Sequence, residues 1–517
     1  MTTALSLAQL QQRHAALLQE RAPWDEAWRQ VGKHFLPTRR HAGNKQNRSA
    51  PMLNPDIVDS TGILALRTLA AGLQGGLTSP ARPWFRLALD GKATGLSRST
   101  RLWLDQVTER MRMVLQRSNF YNAMHLLYTE LGAFGTGAVF ALADVQQGFR
   151  FLPLTAGSYA LECNEREQVD TLFRKTYMTA RQLMLAFGEA VLPEHLRAMR
   201  MGSATERHCV IHAVLPRAQG QQANTSTALP YASLCWLEGR EGQLLPLKQS
   251  GFWGFPAFTP RWDVAENDVY GHSPCMDALP DCRMVQQMGI STLKAIHKSV
   301  DPPMSVSASL KAVGLDLTPG GINYVETLPG QNPQAASPLL AGSPDIGQAR
   351  QAIETVQKQI QAGLHNDLFR MLLQGSKTMT ATEVAAREEE KLILIGPVLE
   401  RLHHELFMPL IDRIFLLMRR LDMLPPCPPE LLGRPVKVEF ISLLAQAQQL
   451  VSTGAIDKYC QFVATAGQCW PEALDALDVD SVMDTYADHL GLDVALLRPH
   501  EERLARRAVR LCAAQAQ

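Results

Sequence analysis

Residues 343–374 read SPDIGQARQAIETVQKQIQAGLHNDLFRMLLQ, and this stretch decides the fold. Ser343, Pro344 and Asp345 start a helix well, with a capping side chain, a proline at the first position and an acid at the positive end of the helix dipole. Apolar residues then recur at spacings of three and four, at Ile346, Ala349, Ile353, Val356, Ile360, Leu364, Leu368 and Met371. We therefore predict one helix over 344–374, about 46 Å long at about 1.5 Å per residue.

A second long helix is predicted directly after a short polar segment, residues 375–380. Thr380 and Glu383 have the spacing of a capping box, and Gly396-Pro397 predicts a kink. The helix is expected to run to residue 421, with an apolar side made of Leu399, Leu402, Leu406, Leu410, Ile414 and Met418. Two long helices joined by one short break indicate a long, bent structural element, here called the strut, rather than a catalytic domain.

The first helix of the strut needs partners, because a lone amphipathic helix of this length is not stable by itself. The partners are either a helix predicted at 280–300 or neighbouring copies of the chain. Its other face is polar yet nearly uncharged, with Gln348, Gln351, Gln357, Gln359 and Gln361. Such a face is consistent with lining an aqueous channel and equally with a plain solvent-exposed surface.

The remaining segments predict an α+β fold that is mainly helical. Helices are expected over 5–20, 23–35, 61–73, 97–117 and 119–131, the third ending at Gly75-Gly76. Short strands follow at 138–142, 150–152, 171–178, 208–215, 232–237 and 256–262, interrupted by short helices at 179–187 and 193–201. Prolines and glycines dominate 301–343, a strand is expected at 436–441, and small helices end the chain.

Composition restricts the class of protein. The 517 residues are 46% hydrophobic and 20% charged, with a formal net charge of +1, so no global charge attracts nucleic acid. The nine cysteines form no CxxC pair and are expected to be buried, reduced thiols. The N-terminus lacks the features of a signal peptide, and no apolar run is long enough to span a membrane.

The motifs for catalysis are incomplete. No P-loop is present, and Gly271-His272-Ser273 begins like a nucleophile elbow but lacks its second glycine. His403, His404 and Glu405 do not have zinc-protease spacing, and His208 with His212 lacks further ligands. We expect no catalytic residue, metal or cofactor. A serine hydrolase using Ser273 remains the enzymatic alternative.

Three cationic stretches are possible phosphate contacts. Arg39–Arg48 and Arg498–Arg510 are basic, and the short break at 375–380 places Lys377 between two long helices. That break is either a simple helix connector or a phosphate contact. If many copies formed a ring, their Lys377 ammonium groups would surround a central opening.

Several short patches appear along the chain in a characteristic order. They are residues 59–62 (DSTG), 69–73 (LAAGL), 79–80 (SP), 83–85 (PWF), 270–274 (YGHSP), 278–281 (ALPD), 301–303 (DPP), 379–384 (MTATEV) and 387–389 (REE). In this order the chain resembles the head-to-tail connector, or portal, family of short-tailed bacteriophages over residues 15–430. His272 departs from the arginine that related sequences often carry there.

The resemblance implies a portal fold, and each domain follows from it by analogy. Residues 1–273 would be the wing, 274–300 and 344–374 the stem helices, 301–343 the clip, 375–380 the tunnel loop, 381–423 the kinked wing helix and 424–517 the crown. Ser376, Lys377 and Thr378 would be the residues that contact DNA. No catalytic residue, metal or cofactor is implied.

The resemblance also implies a homo-oligomer, usually a dodecamer, at one capsid vertex of the virion, assembled in the bacterial cytoplasm. Double-stranded DNA would pass through its channel, and its partners would be the terminase large subunit, tail adaptor proteins, and the major capsid and scaffolding proteins. Membrane contact is not implied. Besides the Ser273 hydrolase, an oligomeric scaffold without a DNA channel and a membrane-associated pore remain alternatives.

Overall fold

The computed structural model describes residues 6–37, 57–89, 98–144, 148–198, 206–217, 228–238, 244–300, 304–306, 336–338, 345–374, 395–431 and 436–440, and near the C-terminus 457, 459–466, 470, 479–480, 482–483, 502–503 and 506. Its helices and antiparallel strands form an α+β fold, which confirms the predicted class.

Helices dominate the N-terminal part and the C-terminal third. In chain order they are α1 (Leu7–Phe35), α2 (Thr61–Leu77), α3 (Arg98–Arg117), α4 (Phe120–Phe134), α5 (Ala180–Phe187), α6 (Glu194–Ala198), α7 (Pro274–Asp277), α8 (Leu279–Val300), α9 (Ile346–Gly363), α10 (Asn366–Gln374), α11 (395–402) and α12 (Met408–Arg420). The predicted stop of α2 at Gly75-Gly76 is wrong, because the helix continues to Leu77. Gly72 of the same helix serves packing, because a Cβ there would lie 2.1 Å from the Phe369 ring.

The strands of the described residues form four antiparallel sheets. The strands are β1 (Phe85–Leu89), β2 (Ala138–Asp144), β3 (Gly148–Leu154), β4 (Tyr159–Cys163), β5 (Val169–Thr179), β6 (Arg207–Pro216), β7 (Tyr231–Glu238), β8 (Leu244–Phe252), β9 (Ala257–Phe258), β10 (Met304–Val306), β11 (Ala336–Pro338) and β12 (Val436–Phe440). The largest sheet has the order β4-β5-β6-β7-β8, and the others are β3-β2-β9, β1-β12 and β10-β11. Pairing of β1 with β12 brings residues 436–440 back to the N-terminal part of the chain.

Both faces of the five-stranded sheet are covered, because its side chains alternate between two apolar clusters. Ile211 of β6 packs with Leu10 and Leu17 of α1 on one face. Its neighbour Val210 packs with Leu183 of α5 and other side chains on the opposite face. The sheet is therefore an internal layer of the body of the molecule.

The main core joins the N-terminal helices to the C-terminal helices. Trp28 and Trp84 are almost fully buried, and Trp84 stacks on Phe120 at 5.8 Å between ring centroids. Phe407, from the C-terminal third, lies 5.9 Å from the same tryptophan ring. Residues separated by more than three hundred positions thus share one core.

The single helix predicted over 344–374 is wrong, because the structure has two helices, α9 and α10, with a break at His365. His365 has φ of 53°, a left-handed conformation that ends the first helix. The turn places Leu368 and Phe369 against α2, where Phe369 occupies the space left by Gly72. The N-cap is also shifted: Asp345, not Ser343, accepts the capping hydrogen bond, from the Gln348 N–H at 3.0 Å.

The long helix predicted over 381–421 is described from residue 395, so its capping box lies outside the described residues. From there it continues through Pro397 and contains a π-turn at His403–Phe407. The spacing of the buried side chains explains the π-turn. They recur every four residues, at Leu402, Leu406, Leu410, Ile414 and Met418, and all are fully buried. Four residues of an α-helix overshoot one turn by about 40°, and the wider π-turn removes part of that drift.

Candidate functional site

The predicted DNA-contact residues Ser376, Lys377 and Thr378 lie outside the described residues, between α10 and α11. The structure does describe the elements on either side of them. Earlier in the chain, α8 and α9 lie side by side, and they are here called the helical pair. The helical pair and its attachment to the body are therefore described first.

The helical pair is buried at its root and exposed along the rest of its length. Val285 of α8 and Val356 with Ile360 of α9 are buried. Farther along, Leu293 is 45% exposed and Val300 is 80% exposed. Apolar side chains on the outer half of the pair therefore remain partly or largely uncovered within the described part of a single chain.

The root is tied to the body by a hydrogen-bond network around Asp59. The Gln286 Oε1 accepts from the backbone N–H groups of Val58 and Asp59, at 2.7 and 2.8 Å. The Gln286 Nε2 donates to the Asp59 carbonyl at 2.6 Å. Gln357 of α9 donates to the Asp59 carboxylate at 2.7 Å. One short segment before α2 thus holds both helices, and Gln357 belongs to this network rather than to an open polar face.

Exposed charges on the helical pair are mostly basic. Lys294 and Lys298 lie one turn apart on α8, and Lys358 lies on α9. Arg350 pairs with Glu354 at 3.4 Å within α9. Gln348, Gln351 and Gln359 are exposed on the same helix, but exposed Lys358 lies two turns after Gln351 on the same side, so this face carries a charge.

Residues 270–274 connect the sheet region to α8 through buried hydrogen bonds. The Gly271 N–H donates to Thr136 Oγ1 at 2.7 Å, and the Tyr270 hydroxyl accepts from the Leu161 N–H at 3.0 Å. Gly135 has φ of 74°, and a Cβ there would lie 2.1 Å from the Gly271 carbonyl oxygen. The YGHSP patch therefore fixes the direction in which the helical pair leaves the body.

Ser273 is not a nucleophile, so the hydrolase alternative is wrong. Its hydroxyl donates to the Ala133 carbonyl at 2.8 Å, caps α7 through the Met276 N–H at 3.0 Å, and is fully buried. His272 points elsewhere, with Nε2 2.8 Å from Asp277. A serine that is inaccessible and has no adjacent base cannot attack a substrate.

A buried ion pair fastens the long C-terminal helix to the sheet region. Arg261, 5% exposed, contacts Glu405 in the π-turn, with Nη2 2.6 Å from Oε1. The same guanidinium donates to the backbone carbonyls of Glu167 and Asp268. Sequence patterns did not point to this pair, because its members are 144 positions apart.

The histidines considered as metal ligands in the sequence instead contact neighbouring side chains. His403 packs edge-on against Phe440 at 4.9 Å, and His212 lies 2.9 Å from the Ser233 hydroxyl. Burial lowers the pKa of His212 to about 4. Within the described ranges, no group of three or more His, Cys, Asp or Glu residues could hold a metal ion. No described helix is long and apolar enough to cross a membrane.

The expectation of buried thiols is only partly correct. Cys275 and Cys282 are buried, but Cys163, Cys209, Cys235 and Cys460 are half-buried and Cys427 is exposed. Cys163, Cys235, Cys275, Cys282, Cys427 and Cys460 are free thiols. Burial raises the pKa of Cys275 well above its ordinary value, so this thiol is inert.

Comparisons with known proteins agree with these observations. The chain matches the model of the bacteriophage head to tail connecting protein family over residues 7–497. It is 37% identical over 491 residues to the probable portal protein of Bordetella phage BPP-1, covering 94% of this chain and 88% of that protein. It is 34% identical over 507 residues to the portal protein of Salmonella phage epsilon15, covering 97% and 90%.

Among solved structures, a chain from the virion of a native gene transfer agent particle aligns over 93% of this chain and 92% of its own length, at 10% identity. Its TM-score of 0.34 is too low to support a conclusion about the fold. The assignment depends instead on the family model and on the two phage relatives. The chain belongs to the bacteriophage head to tail connecting protein family.

Proposed function

We propose that this protein is a viral portal, a ring at one capsid vertex through which double-stranded DNA enters and leaves the head. The main support for the proposal is the family match over residues 7–497. In addition, the chain aligns with two phage portal proteins along almost their whole length. The exposed apolar side chains on the outer half of the helical pair support it, because a ring of neighbouring copies would cover them.

The proposed domain boundaries follow those of the portal family. Residues 1–273 form the wing, residues 274–300 and 344–374 the stem, residues 301–343 the clip, residues 381–423 the wing helix and residues 424–517 the crown. The clip meets the terminase large subunit and later the tail adaptor proteins, while the capsid and scaffolding proteins surround the ring. The anchoring of α8 and α9 to Asp59 supports the assignment of both to the stem.

The proposed DNA contact is the tunnel loop, residues 375–380. Ser376, Lys377 and Thr378 would face the channel, where a ring of Lys377 ammonium groups would attract the phosphate backbone without reading its sequence. The role is mechanical and needs no catalytic residue, metal or cofactor. We propose a dodecamer, located at the portal vertex of the virion after assembly in the bacterial cytoplasm.

Electron microscopy and native mass spectrometry of the purified full chain test the ring. We expect closed rings with a central hole and a single subunit number, close to twelve. A chain that stays monomeric under all conditions of salt and concentration would exclude the portal.

The tunnel loop is tested by Lys377→Ala. We expect intact rings but a changed yield of packaged DNA, because only the channel charge is removed. Lys248→Ala, at an exposed position on β8, is the matched control and should leave the yield unchanged. Equal yields from both variants would remove Lys377 from the DNA contact.

A further inference from the structure

The bend between α9 and α10 falls on a residue that is poorly suited to it. His365 has φ of 53°, a left-handed conformation that is unfavourable for any residue with a Cβ. The nearest glycine, Gly363, lies two positions earlier and is the last residue of α9. The most flexible residue and the strained conformation therefore do not coincide.

The apolar stripe of α9 is compatible with a helix that continues through the bend. Val356, Ile360, Leu364 and Leu368 recur every four residues, and all four are buried. In one continuous helix these side chains would lie along one face. The spacing therefore permits a straight helix over the whole segment, so that contacts with other elements hold the bend.

Two polar or aromatic contacts hold the bend from outside the segment. The Asn366 side chain is buried and, in the amide orientation that satisfies its neighbours, its nitrogen donates to the Ala65 carbonyl of α2 at 2.9 Å. The His365 ring stacks on Trp262, with 6.1 Å between the ring centroids. Both contacts are made only while the chain is bent at His365.

The third contact, between Phe369 and Gly72 of α2, is the tightest. Phe369 is 1% exposed, and a Cβ on Gly72 would lie 2.6 Å from the Phe369 Cβ. Only a glycine leaves room for so close an approach. Gly75, three positions later on α2, has open space where its Cβ would lie. We call the seating of Phe369 on Gly72 the latch.

We propose that the latch selects between two conformations of residues 346–374. When it is closed, α10 packs on α2 and turns away from the axis of α9. When it is open, the strain at His365 is released and the segment forms one continuous helix. Because α10 has nine residues and is about 13 Å long, the change moves Gln374 by on the order of 10 Å.

The link from the latch to DNA rests on the proposed function. Residues 375–380, the proposed tunnel loop, follow α10 directly. The latch therefore sets where this loop begins in the channel, although neither of its members contacts DNA. Phe369 and Gly72 are positioning residues in this sense.

Pulsed electron paramagnetic resonance between two spin labels measures the two conformations. The labels are attached at Gln351→Cys on α9 and Arg370→Cys on α10, both exposed positions, in the full chain with Cys427→Ser. Labelled chains are diluted with unlabelled ones, so that only distances within one chain are read. The chain without the two introduced cysteines gives the background from the other native thiols. A continuous helix separates the two positions by about 28 Å, and the bent segment gives a shorter distance.

Gly72→Ala should open the latch, because the added methyl group takes the space of the Phe369 ring. We expect the shorter distance in the unsubstituted sequence and a new population at about 28 Å in the variant. Gly75→Ala, on the same helix, is the matched control and should keep the shorter distance. Identical distributions from the two variants, or a broad distribution without the longer distance, would overturn the proposal.

A second pair of variants leaves the packing of the latch intact. His365→Gly and His365→Ala both remove the stacking on Trp262 and differ in how readily they adopt φ of 53°. Alanine should raise the ratio of straight to bent chains about fivefold or more relative to glycine, because the left-handed conformation disfavours a Cβ. Equal ratios would contradict the two conformations even if Gly72→Ala does not fold.

The distance measurement needs neither rings nor DNA, so it separates the latch from the proposed function. If the chain forms rings and every variant keeps one distance, the portal assignment stands and the latch is wrong. If the unsubstituted chain forms no rings, the portal assignment fails, whereas the two conformations are still measured. In rings that do form, Gly72→Ala should package less DNA than Gly75→Ala, and equal yields would remove the latch from the positioning of the loop.

Discussion

The body of the molecule and the helical pair differ in how much of their apolar surface one chain covers. In the body, Trp28, Trp84 and Trp236 are almost fully buried, and the ion pair of Arg261 with Glu405 joins distant segments. On the helical pair, Leu293 and Val300 remain exposed. The body therefore buries its largest aromatic side chains within one chain, whereas the outer half of the pair leaves apolar side chains exposed, which neighbouring copies would cover in the proposed ring. Substitutions in the two regions should therefore have different effects.

The largest effect is expected from Glu405→Ala in the body. It leaves the buried Arg261 guanidinium without its counter-charge, which should lower the free energy of unfolding by about 3–5 kcal/mol. Urea unfolding measures it. Asp263→Ala removes an exposed partner of Arg401 and should cost less than about 1 kcal/mol. Equal losses from the two variants would show that the buried pair does not stabilise the body.

Acid should weaken the body through His14. Its ring is buried against Phe173, and burial, with Lys175 and Arg21 nearby, lowers its pKa from 6.5 to about 4. A lowered histidine pKa means that the fold favours the neutral ring. The neutral ring's contribution to the free energy of unfolding is fully present above pH 6.5. It is lost as the pH falls towards 4, and the loss is about 3 kcal/mol at most.

His14→Phe should remove this dependence while keeping the aromatic contact. Urea unfolding at pH 7 and pH 4.5 should show a smaller loss for the variant than for the unsubstituted chain. His297→Phe, at an exposed position on α8, should keep the full loss. The same pH dependence in all three chains would assign the acid sensitivity to other groups.

A smaller effect is expected at the junction of the two regions. Gln286→Ala deprives Val58, Asp59 and the segment before α2 of buried hydrogen bonds, which should cost about 1–3 kcal/mol. Hydrogen exchange should increase at the root of α8 before it increases in the body. Gln287→Ala, one position further and exposed, is the control and should change neither quantity.

The smallest effect on the single chain is expected at the outer half of the helical pair. Leu293→Ser should change the free energy of unfolding of the monomer by less than about 0.5 kcal/mol, because the side chain is largely exposed. Ring formation, followed by native mass spectrometry, should nevertheless decrease. A large loss of monomer stability, or undiminished ring formation, would remove the contrast between the two regions.

Several elements were predictable because their signals are local. The periods of α3, α4 and α8 placed these helices within a few residues of their observed bounds. The predicted strands correspond to β2, β3, β5, β6 and β7, but β4 and β8 were missed, and residues 256–262 contain only the two-residue strand β9. The break at His365 was not predictable, because the apolar stripe continues through it, and only the packing of Phe369 on Gly72 explains the turn.

The candidate site was less predictable than the fold. The resemblance led to Ser376, Lys377 and Thr378, which the described residues do not include, so their role stays a prediction. Asp59 belongs to the DSTG patch, but its links to Gln286 and Gln357 were not predicted.

By itself, the sequence determined the class of fold, helix α8 and the resemblance to the family, since periodicity, capping and ordered motifs are properties of neighbouring residues. Only the tertiary structure decided that Ser273 is a buried cap, that Arg261 holds the long helix and that the helical pair is anchored at Asp59. These contacts join distant positions, and their energies depend on burial, which no local pattern specifies.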